Sequence, residues 1–291
     1  MSIDTTQQIF ASDGIALRGV LYRDDKAAAS PAIVMAHGFS AVAAQLEGQA
    51  RAFAESGFAA FVFDHPGFGL SEGFPRQEVD PVRQMRAYRN AVSHVRALPQ
   101  VQPDRVGLWG SSMSGGHVIQ VGALDSRVGC VVAQAPFISG WDLMAGRPDG
   151  AVIGQMLIAD REARALGASP AMIPVVSADG GPCALPGADA YEYFTRTGGP
   201  SWRNEVMLSS FEFVWAHEPG SYSPRLAPRP LMLIVAGDDI ITPTAHALAA
   251  FERAGDPKRL VRIRGGHFAV YDGEGFTMAV SAAMEWFRMH L

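Results

Sequence analysis

The sequence predicts a doubly wound α/β protein: a mostly parallel sheet with helices on both faces and an antiparallel hairpin at its start. Three observations predict it. Short apolar runs without alternation recur along the chain, AIVMA at 32–36, FAAFVF at 58–63, VGCVVA at 128–133 and LMLIVA at 231–236. Strands buried on both faces, as in a parallel sheet, read this way. Stretches of helical pattern separate the runs, which gives the strand–helix alternation of a parallel sheet. The 291 residues, 48% hydrophobic and 18% charged, suffice for one large core or two small ones and exclude a disordered chain.

Each element follows in order. From Gln7 to Tyr22, two strand-like runs flank Ser12-Asp13-Gly14, a hairpin with its turn at Asp13-Gly14. Ala32–Ala36 is the first buried strand. A helix over about Ala41–Ser56 stops at Gly57, and Phe58–Phe63 is the next strand. The Gly-rich loop DHPGFGLSEGF follows. Asp80 then opens a helix with Pro81 at its first position, ended by Pro99 after Leu98. Arg105–Trp109 is a strand, followed by a Gly/Ser turn and a small-residue helix to about Leu124. Val128–Ala133 is the next strand. After a long break come Leu231–Ala236 as strand, Thr244–Ala254 as helix, Leu260–Ile263 as the last strand and Phe276–Leu291 as the closing helix.

The break runs from about Phe137 to Pro230 and shows no buried strand. It is rich in Gly, Pro, Met and Trp. Helix-like pieces span about Asp149–Leu166, with Val152, Ile153, Met156 and Leu157 on one face, then Asp189–Arg196, then a stretch after Ser201. Roughly 90 residues is far longer than an ordinary loop. The expected organisation is therefore a core domain of residues 1–137 and 230–291, with 138–229 as a helical lid. Open α/β sheets bind ligands at the carboxyl ends of their strands, which is where such a lid belongs.

Net charge is −5 and no Lys/Arg-rich run occurs, which argues against nucleic acid as a partner. No apolar stretch approaches 18 residues, so no membrane span is expected. The opening MSIDTTQQIF lacks a basic stretch followed by an apolar one, so no secretory leader is expected. Two cysteines, Cys130 and Cys183, are too few for a disulfide scaffold or a Cys-rich zinc site, and fit a reduced, cytoplasmic setting. None of the eight histidines pairs at metal-ligand spacing, so neither metal nor cofactor is expected.

Four loops carry candidate chemistry. Gly110-Ser111-Ser112-Met113-Ser114-Gly115-Gly116 lies between a strand and a helix. A serine at the apex of so sharp a turn is held exposed above the sheet at a helix N-terminus. The G-x-S-x-G spacing centres on Ser112, although Ser114 stands where the second glycine is expected. Ser114 is the runner-up, and Ser111 is out of register. Past the strand LMLIVA, GDDIITP offers two carboxylates; the spacing to Pro243 favours Asp239 over Asp238. After the last strand, flanking glycines free the loop of His267 to bring its imidazole over the strand ends. Ser112, Asp239 and His267 fall in the order nucleophile, acid, base, each in a loop after a strand. In the fourth loop, HGFS after AIVMA, the backbone N–H of Phe39 is placed to stabilise an oxyanion together with that of Met113. His37 then anchors that loop.

HGFS, DHPGFGLSEG, GSSMSGG, GDDIITP and GGHF, in that order, resemble the α/β-hydrolase family over nearly the whole chain outside the break. The GSSMSGGH form followed by RVGCVVAQAPF is similar to an esterase-like branch that includes dienelactone-hydrolase-like and polyketide-transferase-like proteins. The resemblance implies an α/β-hydrolase fold with a lid in the break. Members with an aspartate nucleophile, such as haloalkane dehalogenases and epoxide hydrolases, fit less well, since Ser112 holds that position.

The expected function is a serine hydrolase acting on a small-molecule carboxylic ester or thioester through an acyl-enzyme. Aromatic and Met residues of the break, among them Trp141, Met144, Met156, Met172, Trp202, Phe211, Phe213 and Trp215, suggest a substrate with a substantial apolar part. An acyltransferase, a cofactor-free haloperoxidase, a C–C bond hydrolase and a non-enzymatic ligand receptor are the alternatives on the same residues. A homodimer is the default assembly.

Overall fold

A computed structural model describes residues 2–291. Strands β1 (Ile3–Ser12) and β2 (Ile15–Asp24) form the expected hairpin, extended at both ends so that Ile3 lies opposite Asp24. Asp13 (φ 51°) and Gly14 (φ 79°) make its two-residue turn. Positive φ at both central residues is the type I′ form, whose twist matches that of the strands.

The alternation follows with β3 (Ser30–Ala36), α1 (Glu47–Glu55), β4 (Ala59–Phe63), α2 (Pro81–Arg96), β5 (Val101–Ser111), α3 (Met113–Leu124) and β6 (Val131–Gln134). A short 3-10 turn at Ala43–Leu46 leads into α1. Asp80 caps α2 by accepting from the N–H groups of Val82 and Arg83, and Pro81 takes the first turn, where no donor is needed. β6 starts later than Val128 because the Val128 N–H closes a turn onto the Asp125 carbonyl.

Residues 138–229 hold α4 (Gly140–Gly146), α5 (Gly150–Ala165), β7 (Met172–Ile173), α6 (Ala188–Thr197), β8 (Val206–Met207) and α7 (Ser210–Trp215). The expectation of no buried strand here needs a correction at β8, whose Val206 and Met207 are both buried. β7 and β8 pair antiparallel, but over two residues each, too short to leave a pattern in the sequence. On α5, Ile153 and Leu157 are buried while Val152 and Met156 are exposed, so its packed stripe is narrower than the apolar spacing suggests. The stretch after Ser201 becomes helical only at Ser210. The chain closes with β9 (Leu231–Ala236), α8 (Thr244–Arg253), β10 (Lys258–Ile263) and α9 (Gly273–His290).

The main sheet has the order β1-β2-β4-β3-β5-β6-β9-β10. β3, β4, β5, β6, β9 and β10 run parallel, and the hairpin joins antiparallel through β2. Strand periodicity divides the core in two. Leu231, Leu233 and Val235 of β9 face the cluster beneath α2, α3 and α8, whereas Met232, Ile234 and Ala236 face the cluster beneath α1 and α9. A third cluster joins residues 138–229 to Phe39, Phe68, Val79 and Met113. From β3 the chain moves one way to β4 and then the other way to β5. The carboxyl ends of β3 and β5 thus flank the topological switch point, the usual ligand crevice of an open α/β sheet. Among the described residues no helix is long and apolar enough to cross a membrane.

Candidate active site

β5 delivers Ser112 to this switch point. The residue sits between strand and helix at φ 56°, ψ −121°, a region that non-glycine residues occupy only when the surroundings impose it. The Ser112 N–H donates to the Gln134 carbonyl (2.9 Å), and its own carbonyl accepts from the N–H groups of Gly115 and Phe137. A Cβ at Gly110 would stand 2.1 Å from the Ser114 carbonyl oxygen, so the turn closes only over a glycine. The Ser112 hydroxyl has no protein partner among the described residues and opens to the cavities above the sheet.

The two rival serines lie elsewhere. Ser114 is fully buried, and its hydroxyl donates to the His37 carbonyl and meets His65 Nε2 at 2.9 Å. Ser111 is buried with its hydroxyl against the Tyr271 hydroxyl, where it also accepts from Gln134 Nε2 (3.3 Å).

Asp239 and His267 meet. His267 Nδ1 lies 2.7 Å from Asp239 Oδ2, and both side chains are buried. Asp239 Oδ1 accepts from the N–H groups of Ile241 and Thr242, each at 2.9 Å. The Thr242 hydroxyl lies 2.9 Å from Asp239 Oδ2, 2.9 Å from the Ala135 carbonyl and 3.2 Å from His267 Nδ1. It has one proton to give among them, so it completes the shell around the carboxylate without replacing His267. A carboxylate held this way fixes the imidazole tautomer with its proton on Nδ1 and leaves Nε2 as the outward base. Asp238 is exposed; its N–H donates to the Gly265 carbonyl and ties the acid loop to the histidine loop.

The loop after β3 lies directly on the turn. A Cβ at Gly38 would stand 2.9 Å from Ser112 Cβ, so only glycine lets the two loops touch. Among the described residues no backbone carbonyl takes up the N–H of Phe39 or of Met113. His37 anchors this loop: Nδ1 lies 3.0 Å from the Gly38 carbonyl and Nε2 accepts from the His65 N–H (3.1 Å).

Beneath the turn lies a chain of buried imidazoles that sequence reasoning missed. His37 packs on His65 (ring centroids 4.7 Å), His65 on His117 (5.8 Å) and His117 on His217 (5.1 Å). Burial pushes the pKa of His37 down and those of His65 and His117 well down, and takes His217 to about 3, so all four are neutral at pH 7. Their separations in sequence conceal the contacts. Ser114 in place of a glycine was the one local signal that something polar lies there.

Two cavities meet at Ser112. The larger, about 600 Å³, runs between the acid loop and the 138–229 segment. Its walls are Phe39, Met113 and Phe137 from the core, Leu143, Met144, Leu185, Phe211 and Val214 from the segment, and Ile240 and Ile241 from the acid loop. Of the eight Trp, Met and Phe residues singled out in the sequence, Met144 and Phe211 line it. Arg147 stands at its wall, its Nε and Nη2 each donating to an Asp149 carboxylate oxygen at 2.9 Å, its Nη1 to the Ala184 carbonyl, and its guanidinium over the Phe211 ring. The smaller cavity, about 30 Å³, is lined by His267, Ser111, Ser112, Phe39, Tyr193, Phe194, Phe268 and Tyr271.

A family model described as the alpha/beta hydrolase fold matches residues 31–274. The chain belongs to the α/β-hydrolase family. Among curated relatives, the thiohydrolase aneE of Aspergillus aculeatus is 34% identical over 262 residues, 85% of this chain and 81% of its own. The quorum-quenching protein AidA of Acinetobacter baumannii is 30% identical over 284 residues, 96% of this chain and 93% of its own. GrgF of Penicillium sp., named a polyketide transferase, is 29% identical over 260 residues, 88% of this chain and 86% of its own. Its crystal structure, described as an alpha/beta hydrolase, superposes with a TM-score of 0.84 over 100% of this chain and 99% of its own, at 26% identity. The α/β-hydrolase fold expected from the ordered motifs is the observed one.

Proposed function

We propose that this α/β-hydrolase cleaves carboxylic esters or thioesters with a large apolar acyl part, with Ser112 as nucleophile, His267 as general base and Asp239 as its orienting acid. The observation that carries the reading is the 2.7 Å contact of His267 Nδ1 with a fully hydrogen-bonded Asp239, in a cavity shared with the strained, unpartnered Ser112. Residues 138–229 act as the lid whose side chains wall the acyl cavity.

His267 Nε2 takes the Ser112 proton as Oγ attacks the carbonyl carbon. The N–H groups of Phe39 and Met113 hold the oxyanion, and a donor of this kind is worth roughly 10² to 10³ in rate. His267 then gives its proton to the leaving oxygen or sulfur, and the acyl group stays on Ser112. Asp239 stabilises the imidazolium throughout. The cavity volume lies within the usual range for small-molecule sites, and its largely aliphatic and aromatic wall favours an apolar acyl chain. An acyltransferase on the same residues is the second reading, favoured by the likeness to a polyketide transferase.

The test is turnover of methyl acetate and methyl octanoate, with the released acid followed by titration. Octanoate is expected to be the better substrate, and Ser112→Ala to abolish turnover of both. Full activity in Ser112→Ala removes the proposal.

A further inference from the structure

We infer that Ser114 is a positioning residue for the oxyanion: with His37 and His65 it locks the loop of Phe39 onto the turn of Ser112, so that the Phe39 and Met113 N–H groups face one point. The inference rests on the ester-cleavage reading above. It deepens that reading by giving Ser114 and His65 a part in the reaction.

The three buried residues close a ring of hydrogen bonds. The Ser114 hydroxyl donates to the His37 carbonyl. His37 Nε2 accepts from the His65 N–H (3.1 Å), and His65 Nε2 comes back to Ser114 Oγ at 2.9 Å. Burial keeps both imidazoles neutral, so each carries one proton. The single Ser114 proton goes to the carbonyl, which makes His65 Nε2 the donor to Oγ. His65 Nδ1 is then the bare nitrogen, and it has no partner among the described residues. His37 Nε2 is an acceptor, so the His37 proton sits on Nδ1 and is donated to the Gly38 carbonyl (3.0 Å).

This ring acts on the peptide units that aim the oxyanion donors. The Gly38 carbonyl and the Phe39 N–H belong to one trans peptide and point opposite ways. Holding the carbonyl at His37 Nδ1, with the Ala41 N–H at 3.4 Å, turns the Phe39 N–H to the other side. Ser114 follows Met113 at the start of α3, so its hydroxyl ties the segment of the second donor to the loop of the first. The close approach of Gly38 to Ser112 stops the loop from moving nearer, but it does not stop the loop from lifting or sliding. A glycine at this position, which the G-x-S-x-G spacing expects, would have no hydroxyl to hold it. Donors stabilise developing charge when they are already aimed at it, and a misplacement of about 1 Å can cost about 10² in rate.

The test compares the full chain with Ser114→Ala, and with Ser114→Gly should the alanine variant fail to fold. Turnover of methyl octanoate gives kcat and KM, and two inhibitors separate the oxyanion from the chain that carries it. Heptyl trifluoromethyl ketone accepts Ser112 Oγ at its carbonyl carbon while the hydroxyl proton passes to His267, which leaves a tetrahedral oxyanion. Heptyl methyl ketone enters the same cavity as an intact ketone.

In the folded variant, kcat is expected to fall about ten-fold or more while KM changes by less than about two-fold. Inhibition by the trifluoromethyl ketone should weaken by a factor similar to the loss in kcat/KM, and inhibition by the methyl ketone should stay within about two-fold. A hydroxyl that only stabilised the fold would lower the denaturation midpoint and leave kcat per folded molecule unchanged. Unchanged kcat, or equal weakening of the two ketones, would overturn the inference. If Ser112→Ala still turns over methyl octanoate, the underlying reading fails and the inference with it. If Ser112→Ala is dead while the Ser114 variant keeps full activity, only the role of Ser114 fails. No turnover of methyl octanoate by the unaltered chain removes both.

Discussion

The sheet and the 138–229 segment meet over Ser112, and they are built differently. On the sheet side, atoms are fixed by backbone geometry. Ser112 is pinned by the Gln134 carbonyl, and Asp239 accepts from two backbone N–H groups besides the Thr242 hydroxyl and His267. The segment holds α4 to α7, the two-residue β7–β8 ladder, backbone ties such as Leu185 N–H to the Val175 carbonyl and a clasp between Asn204 and Val176, and it meets the large cavity with side chains of α4, α7 and the loop of Leu185. It leaves Trp141 64% and Leu166 90% exposed, which no residue of β3, β4, β6 or β9 approaches. Groups that take part in bond making need placement to a fraction of an ångström. A wall that sorts acyl chains needs only shape and apolarity. The sheet is therefore read as the chemistry and the segment as the selection.

Substitutions on the two sides should differ in kind. Ser112→Ala is expected to lower kcat by roughly 10⁴-fold or more on every ester, with the folded state retained. A substrate that escaped this loss would break the comparison. Asp239→Asn is expected to cost up to about 10⁴ in kcat with little change in KM, because the amide favours the wrong imidazole tautomer. Gly110→Ala tests the sheet side by stability instead. Its Cβ would meet the Ser114 carbonyl at 2.1 Å, and overpacking of this kind costs about 3 kcal/mol or more, visible as a lowered denaturation midpoint.

The buried imidazoles give the sheet side a pH signature. Burial lowers the native pKa of His37, His65, His117 and His217 below the unfolded value near 6.5. Their contribution to stability is complete above that value and is lost as pH falls toward the native pKa values, where only the unfolded chain takes up protons. Each contributes up to about 1.4 kcal/mol per pH unit in that window. Calorimetry should show Tm falling steeply from pH 7 to pH 5, and a flat Tm would mean the four rings are not held neutral. The smallest effect is expected in the segment. Phe211→Ala should change the octanoate-to-acetate preference by about 10- to 200-fold at most, since a pocket wall discriminates apolar groups by only about 1–3 kcal/mol. A comparable loss on both esters would place Phe211 in the chemistry rather than the wall.

The two sides were also unequally legible. The buried strands show in sequence because a strand covered on both faces must be apolar at every position, as Leu231–Ala236 is. The loops of Ser112, Asp239 and His267 show because sharp turns at strand ends demand Gly and small residues around them. The wall of the large cavity has no such constraint. Met144, Leu185 and Phe211 come from separate elements, and any apolar residue of suitable size serves. On α5 the apolar spacing overstated the packed face, since Val152 and Met156 point to solvent. Tyr271 and the imidazole chain were illegible for another reason: hydrogen bonds such as Ser111 to Tyr271 join residues far apart in sequence, and no local rule requires them.

The central claim is that Ser112, not a neighbouring serine, is the nucleophile. Labelling the full chain with a fluorophosphonate and mapping the adduct by mass spectrometry tests it most directly. The account predicts a single stoichiometric adduct on Ser112, abolished in Asp239→Asn and His267→Ala. An adduct on Ser111 or Ser114, or none under conditions that label other serine hydrolases, would contradict it.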